Sequence, residues 1–405
     1  MESRVNILWL TPFNLRLISD RITWRRDRCR VHTHAGSWVV NLAAELARSD
    51  EVNLTILTGT PYVRGVQTAE WSGVKIVLVP IGIPGVGRGW PPQLPLDALI
   101  GYPYERWRVG RIVRQIPSDL VHVHGTEHFY GLVAARMSRP WVVSIQGILA
   151  EVKKCTTSRR LHWGARWERQ VVRAARWFLC RTNLDIGFVQ SNNPSARIFD
   201  IAEPVSRVYY GPPWDCVRTP RILFVSIGLP PWKGWDLLWN ALEMVARQVP
   251  EVCLEVVGPV PPSDQAAALS RAANLGITVR FHGYCTPEQL ARLHRECRVF
   301  VLPSRIENSP NALAEAMVSG MPCVAFAVGG VPSMIQDRVT GLLVPPEDVS
   351  AMAAAIVRVL KEDDLASSLG KAAATMARSR HDPARVAKQV IAAYREILAD
   401  TQGPP

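Results

Sequence analysis

The residues best able to do chemistry lie at 303–316, where seven residues separate two glutamates. An apolar strand pattern ends at Ser304, a loop carries Glu307, and Pro310 is placed to occupy the first turn of a helix. Free amides of that turn, aided by the helix dipole, form an anion site suited to a sugar nucleotide diphosphate. Glu315, further along the helix, can then accept hydrogen bonds from ribose hydroxyls, and Glu307 from hydroxyls of the sugar.

The spacing of the two glutamates is weak by itself, because a capped helix with one exposed carboxylate gives the same pattern. Several motifs around it strengthen the interpretation. They are Trp-Lys-Gly at 232–234, Phe-His-Gly-Tyr at 281–284, Gly-Met-Pro at 320–322, Val-Gly-Gly-Val-Pro at 328–332 and Thr-Gly-Leu-Leu-Val at 340–344. In this order, residues 221–346 resemble the family 4 retaining glycosyltransferases of the GT-B fold, the glycosyl transferases group 1.

The resemblance implies a role for each matching residue. Lys233 matches the lysine that neutralises charge on the departing diphosphate, although a solvated surface lysine is the alternative. Glu307 and Lys233 are therefore the catalytic candidates, and residues 282–285 match the loop that holds the nucleotide base. The donor-binding candidates of this half are Lys233, Gly283, Tyr284, Cys285, Glu307, Asn308, Ser309, Pro310, Asn311 and Glu315.

The first half resembles the acceptor domain of the same family less closely. Gly36 matches a glycine-rich turn, and Gln146 stands where many relatives have a histidine over the donor sugar. An amide does not titrate, so Gln146 can bind the sugar but cannot act as a base. Residues 122–127 resemble a strand end near the sugar, although a strand terminus with solvated histidines fits as well. The acceptor-side candidates are His34, His124 and Glu127.

Two positions in the second half also depart from the family pattern. Gly228 stands where the family often has an arginine, so a phosphate contact is missing unless Arg181, at a strand end of the first half, supplies it. Ser333 replaces a glutamate. Gln146, Gly228 and Ser333 together leave an alternative open, a catalytically weakened nucleotide-sugar-binding partner in a glycan-assembly complex.

The chain contains no Asp-x-Asp, the carboxylate pair with which other transferases hold Mg²⁺ or Mn²⁺. We therefore expect no metal and no cofactor, with the nucleotide diphosphate sugar as co-substrate. The eight cysteines include no Cys-x-x-Cys pair, which predicts reduced thiols rather than a zinc or redox site.

The elements that position these residues follow from apolar runs. Twelve such runs alternate with amphipathic helical segments, and this pattern starts twice along the 405 residues. It predicts an α/β protein with two Rossmann-like, doubly wound parallel-sheet domains, and the resemblance to the GT-B fold implies that they face a cleft. We place the domains at 1–215 and 220–380, with a Gly- and Pro-containing linker at 211–220. A helix at 383–399 is expected to return toward the first domain.

The formal net charge is +12, and all of the excess lies in the first half. Residues 1–218 hold 29 Lys and Arg against 17 Asp and Glu, whereas residues 219–405 hold 18 of each. Such asymmetry favours an anionic partner, and the absence of a nucleic-acid module discounts DNA and RNA. Two basic groups stand out, the first at Arg21, Arg25, Arg26, Arg28 and Arg30 and the second at Arg166, Arg169, Arg173 and Arg176.

The second basic group lies on a predicted helix at 159–178 that also carries a stripe of Trp163, Trp167, Val171 and Phe178. The pattern allows peripheral contact with an anionic membrane. The favoured alternative is that the apolar stripe covers the first sheet while the arginines are solvated. No apolar run approaches the length needed to span a bilayer, and the start is too short in apolar residues for a signal peptide, so we expect a cytoplasmic protein, peripheral on the inner membrane face.

These expectations combine into one function. The resemblance implies a retaining, metal-independent hexosyltransferase that moves a sugar from a nucleotide diphosphate sugar to a glycan or polyprenyl-linked acceptor, in the synthesis of cell-surface polysaccharide.

Overall fold

The chain divides into two compact units. The computed structural model describes residues 4–24, 36–81, 96–212, 214–215 and 217–402. The first unit comprises Met1–Pro204 with Pro383–Pro405, and the second comprises Val205–Asp382.

An eight-stranded sheet organises the first unit, in the order β3-β4-β2-β1-β5-β6-β7-β8. Its strands pair in parallel except β3, which runs antiparallel to β4 at one edge. Successive residues of β1 alternate between two apolar cores, with Ile7 and Trp9 in one and Leu8 and Leu10 in the other, as a sheet covered on both faces requires. The strands are β1 (Val5–Leu10), β2 (Val52–Thr60), β3 (Gln67–Trp71), β4 (Val74–Pro80), β5 (Leu120–His124), β6 (Trp141–Ser144), β7 (Trp177–Cys180) and β8 (Arg197–Asp200).

The helices of the first unit cover this sheet. Helix α6 is amphipathic, with Val171 and Val172 buried in one core and Trp163 and Trp167 packed against it. The helices described here are α1 (Ser37–Leu46), α2 (Leu96–Leu99), α3 (Pro103–Val113), α4 (Tyr130–Ala134), α5 (Leu149–Val152), α6 (Arg159–Ala174) and α7 (Asn183–Asn192).

The second unit contains a six-stranded parallel sheet in the order β11-β10-β9-β12-β13-β14. Its central strands are apolar at nearly every position because helices cover both faces. The strands are β9 (Arg221–Val225), β10 (Cys253–Val257), β11 (Thr278–Gly283), β12 (Val299–Leu302), β13 (Cys323–Phe326) and β14 (Leu342–Val344). The helices are α8 (Trp235–Ala246), α9 (Pro262–Leu275), α10 (Pro287–Glu296), α11 (Asn311–Val318), α12 (Val349–Lys361) and α13 (Asp363–Arg380).

The last helix, α14 (Pro383–Gln402), belongs to the first unit, as predicted. Its Tyr394 is fully buried, and the hydroxyl accepts a hydrogen bond from Trp9 Nε1 at 3.0 Å. The same hydroxyl lies 2.6 Å from His122 Nδ1, and His122 Nε2 lies 2.7 Å from Ser144 Oγ. Because burial lowers the pKa of His122 to about 3, the imidazole is neutral, so one ring nitrogen donates a hydrogen bond and the other accepts one.

The predicted fold is confirmed, and all twelve apolar runs form strands. Two strands were missed. The edge strand β3 alternates polar and apolar residues, and β8 is short and partly exposed, so neither forms an apolar run. The helix predicted at 159–178 ends at Ala174, because Phe178 lies in β7.

The division between the units comes earlier than the linker predicted at 211–220. The preceding residues pack on the second unit, where Val205, Tyr209 and Trp214 join its apolar core. Trp214 Nε1 also donates to the carbonyl of Cys297 at 3.0 Å. The described part of this segment is therefore packed on the second unit and is not a free linker.

Two further expectations can be compared with the described residues. The apolar stripe of α6 packs on the first unit while Arg166, Arg169, Arg173 and Arg176 are exposed, which confirms the favoured interpretation of that helix. Arg25, Arg26, Arg28 and Arg30 lie outside the described residues. No helix in the described ranges is long and apolar enough to cross a membrane.

We predict that Tyr394→Phe destabilises the first unit by about 1–3 kcal/mol, because it leaves the buried Trp9 N–H and His122 Nδ1 without their partner. The measurement is urea unfolding followed by fluorescence. Tyr104→Phe, at a half-buried position of α3, is the matched control. Equal midpoints for the two variants would contradict a structural role for the hydroxyl.

Candidate functional site

Two predicted residues meet at the carboxyl ends of the strands of the second unit. Lys233 Nζ donates to Glu307 Oε1 at 2.6 Å, although 74 residues separate them in the chain. Ser304 Oγ donates to the same oxygen at 2.7 Å. Glu307 Oε1 is thus held by a cation and a hydroxyl group. The other carboxylate oxygen, Oε2, can accept further hydrogen bonds.

Two glycines allow the surrounding turns to approach this loop. Gly234 has φ +68°, and a Cβ built on it would lie 1.8 Å from the carbonyl oxygen of Pro303. Gly329 has φ +53°, and its Cβ would lie 2.0 Å from the carbonyl oxygen of Glu307, which accepts a hydrogen bond from Gly330 N–H at 2.9 Å. A side chain at either position would separate the Lys233 turn or the 328–332 turn from the Glu307 loop.

Arg305 fixes the same two loops and was not singled out from the sequence. Its guanidinium makes a forked contact with Asp236 at 2.8 and 2.6 Å and donates to the carbonyl of Pro231 at 2.8 Å. Its backbone N–H donates to the carbonyl of Trp232 at 2.8 Å. The Asp236 and Glu347 carboxylates raise the pKa of Arg305, so the charge is permanent. The turn that carries Lys233 is thereby tied to the strand end that carries Glu307.

The helix after Glu307 begins one residue later than predicted. Asn311 is the first residue of α11, and Pro310 precedes it as the N-cap, with its carbonyl accepting from Leu313 and Ala314. Asn308 is buried and Ser309 is half-buried in the loop that leads to it. The positive end of the helix dipole therefore points into the segment that carries Glu307.

Glu315 lies on α11 with only 8% of its surface exposed. The carboxylate is hydrogen-bonded to the Tyr209 side chain, whose pKa is raised by burial and by Glu315. Tyr209 was not a candidate, because it lies in the segment interpreted as leading into a linker. No motif could have indicated this contact, since it depends on how that segment packs.

The predicted base-binding loop follows β11. Gly283 has φ +62° and its carbonyl accepts from Gly258 N–H at 2.7 Å, while Tyr284 is 47% exposed. Cys285 is half-buried, and burial raises the pKa of its thiol. His282 Nε2 lies 2.7 Å from Glu255 Oε2. Burial opposes ionisation of Glu255, but hydrogen bonds from His282 and Arg280 hold its pKa below the usual range.

In the first unit, the carboxyl ends of β5, β6 and β7 carry three candidates, His124, Gln146 and Arg181. Burial is the main cause that lowers the pKa of His124 far below its usual range, so the ring is neutral. His124 is 4% exposed and stacks on His122 at 4.0 Å, which makes the alternative of solvated histidines wrong. Among the described residues neither ring nitrogen of His124 has a hydrogen-bond partner.

Arg181 and Gln146 both contact a residue that was not predicted, Glu203. Arg181 Nη1 lies 2.7 Å from Glu203 Oε1, and the side chain of Gln146 lies beside the same carboxylate. Burial raises the pKa of Glu203 to about 7, against the opposing effect of Arg181. Arg181 is therefore a buried, paired cation within the first unit rather than an unengaged arginine.

Glu127 and Gly36 complete the candidates of the first unit. The Glu127 carboxylate accepts a hydrogen bond from Gly147 N–H, and burial raises its pKa. Gly36 is the N-cap of α1, with the indole of Trp38 folded over it. His34 lies outside the described residues.

A further carboxylate, missed from the sequence, supports the loops around Glu127. Glu168 on α6 is fully buried and accepts hydrogen bonds from Thr126 Oγ1 at 2.8 Å, Leu149 N at 2.9 Å and Ala150 N at 2.8 Å. Burial raises its pKa to about 7. The single acidic residue on the buried face of an arginine-rich helix is the signal that could have found it. Within the described ranges, no group of three His, Cys, Asp or Glu is arranged to hold a metal ion.

Each of the two units matches a model of a known protein family. A model of the glycosyl transferases group 1 matches residues 216–376, and a model of the glycosyl transferase 4-like domain matches residues 35–183. The chain therefore contains a glycosyl transferases group 1 domain and a glycosyl transferase 4-like domain. It is similar to the D-inositol 3-phosphate glycosyltransferase of Streptomyces griseus, with 34% identity over 46% of this chain and 40% of that relative. The match thus spans about two fifths of the length of this curated relative.

Solved structures support the GT-B fold of this chain. Sucrose-phosphate synthase from Thermosynechococcus elongatus superposes with a TM-score of 0.75 at 20% identity, over 98% of this chain and all of that one. The Anabaena protein HepE, solved with UDP and glucose, gives a TM-score of 0.69 at 17% identity, over 97% of this chain and all of that one. At these identities the likeness concerns the fold.

We predict that Arg305→Met loosens the Lys233 turn, because it removes the forked contact with Asp236 and the bond to Pro231. Hydrogen exchange of the Lys233 and Gly234 amides should accelerate at least tenfold. Arg218→Met is the control, since that side chain is exposed and lies 3.6 Å from its nearest carboxylate. Unchanged protection of the two amides in Arg305→Met would show that the turn holds itself.

Proposed function

We propose that this chain is a retaining glycosyltransferase that moves a hexose-type sugar from a nucleotide diphosphate sugar to a glycan or lipid-linked acceptor, in the synthesis of cell-surface polysaccharide. The observation that carries the proposal is the 2.6 Å contact between Lys233 and Glu307 beside the N-terminus of α11. The carboxyl ends of these strands bring together a fixed cation, a carboxylate and a helix N-terminus. This combination suits a diphosphate joined to a sugar. Sugar transfer is also supported by the name of the S. griseus relative, and nucleotide sugar use by the UDP and glucose in HepE.

Each candidate site residue of the second unit would have its own role in binding the donor. Lys233 would loosen its hydrogen bond to Glu307 and contact the diphosphate. Its positive charge would neutralise the negative charge that increases on the diphosphate as the sugar departs. Glu307 would accept hydrogen bonds from sugar hydroxyls, and Glu315, held by Tyr209, would accept them from the ribose. Residues 282–285 would hold the base, mainly through backbone groups, as the family resemblance implies.

The retaining step needs no strong protein base. The acceptor oxygen would form its bond to the anomeric carbon on the face from which the phosphate oxygen leaves. The bond between that carbon and the phosphate oxygen breaks, and the leaving phosphate takes the acceptor proton. Gln146 cannot titrate, and it does not have to in this scheme. The negative charge remains on the diphosphate, where Lys233 and the helix dipole stabilise it without a metal ion.

One observation favours a second candidate, a catalytically weakened partner that binds nucleotide sugars. Gly228 replaces an arginine, and Arg181, the candidate substitute, is paired with Glu203. The two candidates differ in turnover. Incubation of the purified chain with a panel of nucleotide sugars should release nucleotide diphosphate slowly if the enzyme is active, whereas binding without release would indicate the weakened partner.

Lys233→Ala and Glu307→Gln should each lower transfer at least about a hundredfold while the fold remains intact, because each removes a charge directed at the donor. Rates with saturating donor, together with circular dichroism, test this. Lys361→Ala and Glu251→Gln, at exposed positions of the second unit, are the matched controls. Rates near those of the parent protein in either site variant would refute the assignment.

Transfer should persist in EDTA, because Lys233 and the N-terminus of α11 are proposed to supply the positive charge that a metal provides elsewhere. The assay compares initial rates before and after chelation. Loss of transfer in EDTA with recovery on adding Mg²⁺ or Mn²⁺ would show that the metal-independent scheme is wrong.

Peripheral attachment at the inner membrane face follows from the +12 charge of residues 1–218 and the exposed arginines of α6. The full chain should sediment with anionic vesicles at low salt and be released near 0.5 M NaCl, because each basic residue contributes on the order of 1 kcal/mol and salt screens it. Reversing Arg166, Arg169 and Arg173 to Glu should weaken binding at least tenfold.

The control for this experiment reverses three exposed arginines of the second unit, Arg247, Arg292 and Arg295, with the same change in net charge. Equal loss in both triple variants would attribute binding to net charge alone. Equal binding to neutral vesicles, insensitive to salt, would point to apolar insertion and not to the arginines.

A further inference from the structure

The first unit contains a cavity of about 430 Å³ that the proposed chemistry has not used. Tyr102, Phe129 and Leu149 contribute an apolar and aromatic lining, and Glu127, His128 and Arg160 contribute the polar groups. Sites for small ligands have this volume and this composition, an apolar surface with few polar groups. The cavity therefore has the size and lining of a site for a molecule built around one or two rings.

The carboxylate of Glu127 is fixed in place before any ligand arrives. Gly147 N–H donates to Oε1, and backbone N–H groups of Thr126 and Glu127 itself add hydrogen bonds. Gly125, with φ +83°, makes room for the second oxygen, since a Cβ there would lie 2.2 Å from Glu127 Oε2. A carboxylate held in an apolar wall can accept hydrogen bonds from a hydroxyl or an ammonium group without reorganising.

The strong cations near the cavity are already engaged in ion pairs, and Arg181, whose charge acts on Glu127, is paired with Glu203. Arg160 makes a forked contact with Asp97 at 3.2 and 2.8 Å, and its guanidinium lies over the Tyr102 ring, 5.8 Å from the centroid. The remaining basic group among the described lining residues is the exposed imidazole of His128. A phosphate in this cavity would face the Glu127 carboxylate without a strong unpaired cation from the described lining to neutralise it.

Tyr102 holds an unfavourable backbone conformation at this cavity. Its φ of +55° and ψ of +52° are left-handed, which is rare for an aromatic residue. The Arg160 contact and a 2.7 Å bond from Tyr102 N–H to the Asp97 carbonyl maintain it. Strain of this kind collects at binding sites, where it keeps a side chain in the position that a ligand needs.

We propose that this cavity binds the acceptor through an uncharged or amine-bearing polyhydroxylated ring that carries no phosphate. Glu127 accepts hydrogen bonds from ring hydroxyls or an amino group, and the aromatic lining packs against the C–H face of the ring. The proposal rests on the glycosyltransferase function above and narrows its acceptor class. Any phosphate of a lipid-linked acceptor would then lie outside the cavity.

The test is ligand-observed NMR with the full chain at pH 8, where an imidazole is uncharged. The probes are methyl α-glucopyranoside, the corresponding glucosaminide and myo-inositol, each beside its monophosphate. At least one unphosphorylated ring should bind, and at least tenfold more tightly than its phosphate. Absence of binding by all three rings, or equal binding of the phosphates, would overturn the proposal.

Three variants locate the site. Glu127→Gln should weaken ring binding at least fivefold, whereas Glu151→Gln, which removes a carboxylate paired with Lys154 outside the lining, should not. Leu161→Trp fills the cavity from the half-buried Leu161 of α6 and should abolish ring binding even if Glu127→Gln fails to fold. Ring binding unchanged in Leu161→Trp would place the ligand elsewhere and overturn the assignment.

Release of nucleotide diphosphate, measured separately, distinguishes this inference from the proposed function. Nucleotide release together with ring binding that ignores Glu127 and Leu161 would remove the cavity assignment alone. Ring binding that depends on both residues, without nucleotide release from any donor, would remove the transferase function and leave the cavity as a sugar-binding site.

Discussion

The candidate site of the second unit depends on how closely backbone segments approach at the carboxyl ends of its strands. The Lys233 turn and the 328–332 turn each pass against a carbonyl of residues 303–307 at a distance that excludes any Cβ. Only this approach allows Lys233 and Glu307, far apart in the chain, to share a hydrogen bond. An ion pair of this kind adds little to stability, because desolvation offsets its attraction. Its value is positional, since it fixes a cation and a carboxylate before a ligand is bound.

Burial makes ionisation of several polar groups in the first unit less favourable. It raises the pKa of Glu168 and Glu203 to about 7 and lowers that of His122 to about 3. Glu168 and His122 hydrogen-bond to backbone and hydroxyl groups, whereas Glu203 is paired with the buried Arg181. Because these contacts are removed from solvent, added salt should screen them much less than it screens the exposed arginines of α6.

Much of the fold follows from the sequence, because apolar runs identify the buried strands and helices of a parallel sheet. The edge strand β3 and the short β8 could not be predicted in this way, because solvent reaches them and their apolar pattern is broken. In the site, the resemblance of the motifs to the glycosyltransferase family implied that Lys233 and Glu307 act on the same donor. It could not indicate Arg305, Tyr209 or Glu203, because their roles depend on packing between segments distant in sequence, where a single residue type carries no pattern.

The position of α14 has a consequence for synthesis on the ribosome. The hydrogen bonds from Trp9 and His122 to Tyr394 cannot form until α14 has been synthesised. The whole second unit, about 180 residues, is translated between the strands of the first unit and this helix. At about 5–20 residues per second, this interval is on the order of ten seconds or more. During that time one apolar face of the first sheet lacks its cover while the second unit folds. The nascent chain therefore passes through a stage in which a finished domain is attached to an incomplete one, and it is this stage that chaperones would have to protect.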